Sequence, residues 1–230
     1  MLQSLKSLEI EGGGMMKKIG CYHAHYSNIE HIERALGHLD VELVHFVDPG
    51  LDRMKQDAGF SSEMAEKKVT ETLDWIARCH VDAILVTCTF FTALIQPELH
   101  RYAIPVIKID EPLLKQIGAA QEPLQVVFTN PATVEGTMKQ WRDDLSKRGI
   151  TVQMEPRLLE HTFELIMQGQ KSAYTEAVAE GLVKLIAENP GKRIVAAQLS
   201  MVPAAKMAEA QTAHEVWNHL DGLIEYFQSD

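Results

Sequence analysis

Two short runs in the sequence place reactive or hydrogen-bonding side chains where a buried strand should end. In "DAILVTCTFF" (82–91) an apolar run stops at Thr87, Cys88 and Thr89, and in "RIVAAQLSMV" (193–202) a second run stops near Ser200. A thiol works as acid, base or nucleophile through its thiolate, and its reference pKa of about 8.5 falls near a helix N-terminus or a cation. Cys88 stands just before a helical pattern, where unpaired backbone N–H groups point outward. Ser200 stands in the matching place of the second run with a hydroxyl, a poor carrier of a carbon-bound proton but a good hydrogen-bond donor. It equally suits a cap for "VPAAKMAEAQ", with Pro203 in the first turn. A third run, "VVFTNPATVEGT" (126–137), offers Thr129, Asn130 and Thr133 beside a helix start. Such groups either hold an anion or cap the helix.

Histidines are less specific. His23 and His25 in "YHAHYSN" alternate along a strand and so face opposite ways. No HxxxH or CxxC spacing supports a metal site, and none is expected. His23 lies where the first strand should open into a cleft, which favours a polar contact or a general acid. Glu160 and His161, after "EPRLL", fall near the second crevice. There is no glycine-rich phosphate loop, which weighs against a nucleotide-binding regulator.

The elements that must position these residues alternate along the chain. Strands are expected in "KKIGCYHA", "VELVHFVDPG", "DAILVTCT", "IPVIKID", "LQVVFTN", "ITVQMEP" and "RIVAAQLS". Helices are expected in "NIEHIERALGHLD", "SSEMAEKKVTETLDWIARCH", "EPLLKQIGAA", "TVEGTMKQWRDDLSKRG", "SAYTEAVAEGLVKLIAEN", "VPAAKMAEAQ" and "HEVWNHLDGLIEYF". Alternating strands and helices imply an α/β fold with parallel sheet. The strand in "DAILVTCT" lacks in–out alternation, as a strand covered on both faces does. Thr129 follows His23 by 106 residues and Ser200 follows Cys88 by 112, offsets that two diverged halves would produce as readily as chance repetition.

Composition sets outer limits. The 230 residues carry a net charge of −10, which argues against a nucleic-acid surface. It leaves room for an anionic small molecule in a locally positive pocket. Three cysteines, Cys21, Cys79 and Cys88, fit a reducing compartment better than a disulfide framework. No apolar run approaches the about 18 residues of a membrane span, and the start has no secretory core, so a cytoplasmic protein is expected. The first 16 residues, "MLQSLKSLEIEGGGMM", are expected to be an extension outside the fold, with the natural start at Met15 or Met16.

"VTCTFFTA", "VVFTNPATVEGT" and "AAQLSMVPAA" together resemble motifs of the aspartate/glutamate/hydantoin racemase superfamily. The resemblance covers most of the chain after Lys17 and implies two pseudo-symmetric lobes, each a parallel sheet flanked by helices, closing on a small carboxylate. It implies a first lobe of 17–95 plus 206–230 and a second of 96–205. It also implies no cofactor, no membrane or nucleic-acid partner, and a homodimer by analogy alone. Cys88 then becomes acid/base or nucleophile at the carbon next to a carboxylate, with Ser200 as its catalytic companion. His23, Thr87, Thr89, Thr129, Asn130 and Thr133 become substrate-binding residues. This sequence departs from the pattern at Ser200, where a second cysteine belongs, and at "YHAHYSN", where an acidic residue, serine and glycines belong. One thiol supplies half of a two-base racemase, which leaves racemase, isomerase and decarboxylase chemistry open. The alternative is a non-catalytic carboxylate-binding protein on the same scaffold.

Overall fold

The computed structural model describes residues 16–55, 57–95 and 102–229. The first sheet is built from β1 (Lys17–His23), β2 (Val41–Val47), β3 (Ala83–Val86) and β4 (Val106–Lys108). The second is built from β5 (Leu124–Phe128), β6 (Met154–Leu158), β7 (Arg193–Ala196) and β8 (Val216–Asn218). Every pairing is parallel, and the spatial orders β2-β1-β3-β4 and β6-β5-β7-β8 are the same order. This is the expected α/β class with two pseudo-symmetric lobes.

Helices cover both faces of each sheet. In the first lobe they are α1 (Ser27–Leu36), α2 (Gly50–Met54), α3 (Ser62–Ala77) and α4 (Thr89–Leu94). After β4 come α5 (Asp110–Ala120) and α6 (Val134–Lys147); after β6 come α7 (Thr162–Met167) and α8 (Lys171–Glu188). α9 (Val202–Thr212) and α10 (His219–Ser229) complete the chain. β3 and β5 are buried at every residue, which explains their unbroken apolar pattern. On β3, Ala83 and Leu85 face one side, with Ile32 and Leu36 of α1 and Leu220 and Leu223 of α10. Ile84 and Val86 face the other, with Val69, Leu73 and Ile76 of α3. No helix among the described residues is long and apolar enough to cross a membrane.

The chain crosses between lobes twice. After β4, α5 packs its Leu113, Leu114 and Ile117 into the core of the second lobe. After β8, α10 returns Leu220 and Leu223 to the core of the first. The two crossing helices touch, and Gly222 permits the approach: a Cβ there would lie 3.1 Å from the Leu113 backbone nitrogen.

Several expectations need correction. β4, placed by sequence within 96–205, pairs with β3 of the first sheet, and β8, placed within 206–230, pairs with β7 of the second. The run "HEVWNHLDGLIEYF" is not one helix, because Val216–Asn218 adds an edge strand before α10 begins. Sheet pairing overrides the helical pattern over three residues, two of them the strand-favouring Val216 and Trp217. α2 and α7, of five and six residues, were too short for periodicity to reveal. Of the expected N-terminal extension, only Met16 falls within the described residues.

Candidate active site

The carboxyl ends of the two sheets meet across a cleft of about 230 Å3. Ligands in open parallel sheets bind at such strand ends. The structure brings Thr87, Cys88 and Thr89 from the first lobe together with Thr133 and Ser200 from the second in this one cleft. His23, Thr129 and Asn130 do not line it. Glu160 and His161 are exposed and lie outside it, His161 in left-handed conformation before α7.

The register of the sheets corrects the match between halves. Thr87 N–H donates to Tyr22 O at 3.0 Å, and Ala197 N–H donates to Val127 O at 3.0 Å, the same bond in the two lobes. Asp48 N–H to His23 O and Leu159 N–H to Phe128 O form a second equivalent pair. Cys88 therefore corresponds to Gln198, and His23 to Phe128. Both Cys88 and Gln198 are extended residues directly before a helical turn. Ser200 lies two residues further on, inside the 3-10 turn Leu199–Met201 that the second lobe inserts before α9. Similar tails after Cys88 and Ser200 made them look equivalent.

Gln198 has a defined task. Its Oε1 accepts from Thr129 N–H at 2.8 Å, Thr129 Oγ1 at 2.8 Å and Asn130 N–H at 3.2 Å. The backbone donors expected to hold a carboxylate are thus already engaged by the protein's own amide. Asn130 Oδ1 accepts from Ala132 N–H at 3.0 Å and caps its turn, the capping alternative for this residue. Tyr174 bridges Thr129 Oγ1 at 3.1 Å and Ser200 Oγ at 2.9 Å, and burial pushes its phenol pKa up. Thr133 faces the cleft and donates to Asn130 O at 2.9 Å.

Behind Cys88 the first lobe carries a chain of titratable groups. Glu33 Oε1 meets His45 Nε2 at 2.9 Å, His45 Nδ1 meets His23 Nε2 at 2.8 Å, and His23 Nδ1 meets Thr87 Oγ1 at 2.8 Å. A carboxylate only accepts, so His45 Nε2 donates to Glu33, His45 Nδ1 then accepts from His23 Nε2, and His23 Nδ1 faces the Thr87 hydroxyl, whose one hydrogen also reaches Tyr22 O at 3.2 Å. Asn28 Nδ2, also at the cleft wall, donates to the Thr87 hydroxyl at 3.3 Å. Burial, with His45 adjoining, pulls the His23 pKa down to about 4, which keeps its ring neutral.

Cys21, His23 and His45 have donor atoms within 4.8 Å of one another, a composition that suits a transition metal. The facing nitrogens of the histidines are bonded to each other. Burial, with Glu33 nearby, pushes the Cys21 thiol up to about 12, so it stays protonated, 3.7 Å from Ile19 O.

Sequence reasoning missed Asn28, Gln198 and His219 at the cleft wall. Asp110 behind His219 was also missed, although "IPVIKID" carries it directly after a strand end. His219 was hidden inside the expected final helix. None of the three cysteines is in a disulfide.

No protein-family model matches the sequence, and no curated protein matches it. Solved structures do. An aspartate racemase from Picrophilus torridus matches with a TM-score of 0.65 at 12% identity over 93% of both chains. An allantoin racemase from Klebsiella pneumoniae gives 0.66 at 16% identity, over 93% of this chain and 86% of that one. A glutamate racemase from Francisella tularensis, in complex with D-glutamate, gives 0.62 at 15% identity over 93% and 80%. At these identities the likeness concerns architecture, and in architecture this chain has the two-lobed fold of the aspartate, glutamate and allantoin racemases.

Proposed function

We propose that this protein is a cofactor-independent enzyme that moves a proton at the carbon next to the carboxylate of a small acid, with racemase, isomerase or decarboxylase outcome. One observation carries the reading: Cys88 of the first lobe and Ser200 of the second line one cleft at the strand ends. Its volume of about 230 Å3 lies below the about 300–1,000 Å3 typical of pockets for larger ligands, which suits an amino-acid-sized substrate. The fold shared with racemases adds support. Cys88 acts as acid/base or nucleophile. Thr87, Thr89, Thr133 and Ser200 supply hydroxyls, and no lysine or arginine lines the wall among the described residues. A carboxylate here would be held by hydrogen bonds and not by an ion pair.

A second reading, a non-catalytic carboxylate binder, is favoured by Gln198 at the position equivalent to Cys88. Alkylation separates the two. Iodoacetamide should label Cys88, and aspartate, glutamate, allantoin or a malonate should slow that labelling. In deuterated water the protected compound should lose its α-proton signal, and Cys88→Ser should slow this at least about 100-fold. Protection without proton exchange in any compound would select the binder, and Cys88 that neither reacts nor is protected would remove both readings.

A further inference from the structure

Asp110 and His219 form a buried pair at the wall of the cleft. They are 1% and 2% exposed, and His219 Nε2 lies 2.9 Å from Asp110 Oδ1. They meet because the chain crosses between lobes: Asp110 starts α5 after β4, and His219 starts α10 after β8. Asp110 is held from three sides. Trp141 Nε1 donates to the same oxygen at 3.2 Å, and the Thr92 hydroxyl, whose one hydrogen also reaches Thr89 O at 3.0 Å, lies 3.3 Å from Oδ2. The Trp141 ring packs edge-on against the His219 ring at 5.8 Å. An ionised carboxylate only accepts, so the ring must carry its proton on Nε2. That leaves a lone pair on Nδ1.

His219 Nδ1 is buried and has no hydrogen-bond partner. A network that satisfies three donors around one carboxylate, yet leaves one imidazole nitrogen orphaned, calls for an explanation beyond packing. His219 lines the same cleft as Cys88. Cys88 follows β3 of the first sheet, and His219 follows β8 of the second, so the two reach the cleft from different lobes. Gln198, at the position equivalent to Cys88, has no titratable proton to offer.

We propose that His219, oriented by Asp110, is the second proton-transfer group of the cleft and makes the chemistry two-sided. This rests on the proton-transfer reading above and specifies racemisation within it. For one enantiomer the Nδ1 lone pair of His219 takes the α-proton, the C–H electron pair delocalises into the substrate carboxylate, and the Cys88 thiol delivers a proton to the other face; the opposite enantiomer runs these steps in reverse. One C–H bond breaks and one forms; the thiolate and the imidazolium then return to their starting states by exchange with water once the product has left. Asp110 is a positioning residue, keeping the Nε2 proton engaged so that transfer runs through Nδ1.

The test uses the full chain in deuterated water with both enantiomers of aspartate, glutamate and allantoin. NMR follows α-proton loss, and chiral chromatography follows inversion. The wild-type protein should exchange and invert at least one compound. His219→Gln keeps a donor for Asp110 but cannot relay a proton, and it should retain exchange while inversion falls at least about 100-fold. Asp110→Asn should lower the inversion rate with little change in KM. Nitrogen NMR of histidine-labelled wild-type protein should find His219 as the Nε2–H tautomer, a readout that needs no variant to fold and no turnover. Wild-type inversion rates in His219→Gln, or a Nδ1–H tautomer, would overturn the role of His219 and leave the role of Cys88 standing. Undiminished exchange in Cys88→Ser, or none by the wild-type protein, would overturn the underlying reading and this proposal with it.

Discussion

The two lobes share strand order and strand-end hydrogen bonds, yet the side chains behind those ends differ in kind. Behind Cys88 runs Glu33–His45–His23, a line of titratable groups that ends on the Thr87 hydroxyl. Behind Gln198 stand Thr129, Tyr174 and Ser200, joined through hydroxyls and an amide that stay neutral across ordinary pH. The same backbone frame thus carries titratable groups in one lobe and fixed hydrogen bonding in the other. Where β7 supplies no titratable group, the neighbouring edge strand β8 delivers His219. Duplicated folds can diverge in this way because strand register is set by backbone bonds, which leaves the residues at the strand ends free to change.

The largest expected effect falls on the pair that joins the lobes. Asp110→Ala removes the buried acceptor shared by Trp141, Thr92 and His219. Loss of one partner from such a network costs about 3–5 kcal/mol. Urea unfolding should show this as a lower midpoint at unchanged slope. A cost below about 1 kcal/mol would mean that the lobes do not depend on this contact.

Acid should weaken the first lobe selectively. His23 sits at about 4, below the 6.5 of an exposed histidine. Between those values the unfolded chain binds more protons than the folded one, so its contribution to stability is present above pH 6.5 and is lost as pH falls towards 4. The two limits correspond to about 3 kcal/mol at most. His45 and Glu33 are its neighbours along the same line. The loss should be smaller in His23→Gln, and equal slopes of stability against pH in the two proteins would show that His23 is not the group responsible.

Replacement of the equivalent residues should separate the lobes by consequence. Gln198→Ala orphans the Thr129 and Asn130 N–H groups and should cost about 2 kcal/mol. Cys88→Ala removes one half-buried sulfur at the cleft wall and should cost about 1 kcal/mol or less, while removing reactivity towards iodoacetamide. Equal stability losses would erase the distinction between a positioning lobe and a reactive one.

How much of this was legible in the sequence follows from what fixes each feature. Cys88, Thr87 and Thr89 were found because a buried run ending in polar residues marks a strand end facing a crevice. The α/β class followed from alternation over long, strongly patterned segments. Gln198 was passed over for Ser200 because the equivalence of the halves resides in inter-strand hydrogen bonds, and a 3-10 turn moves the matching tail by two residues. Asp110 and His219, 109 residues apart, become neighbours only through the two crossings between lobes. No local spacing records that meeting, and the short strand β8 just before His219 was hidden in a helical pattern. Thr129 and Asn130 had the right chemistry for an anion, but whether a donor is available depends on Gln198, 69 and 68 residues away.

The smallest effect concerns which lobe holds the carboxylate. Thr133 is the one residue of the anticipated "TNPAT" group that lines the cleft, since Gln198 occupies the Thr129 and Asn130 N–H groups and Asn130 Oδ1 caps its own turn. Its hydroxyl hydrogen donates to Asn130 O at 2.9 Å, so towards a ligand the oxygen offers lone pairs unless that hydrogen turns outward. A bound carboxylate must therefore draw the hydroxyl away from Asn130, and the net gain is one hydrogen bond exchanged for another. Thr133→Val should weaken binding of D-glutamate or malonate by about five-fold, near 1 kcal/mol, with folding stability changed by a similar amount or less. Thr89→Val, at the opposite wall, provides the control. If calorimetric titration finds the loss at Thr89 and none at Thr133, the carboxylate is seated in the first lobe beside Cys88, and the second lobe contributes Ser200 and His219 without the Thr133 hydroxyl.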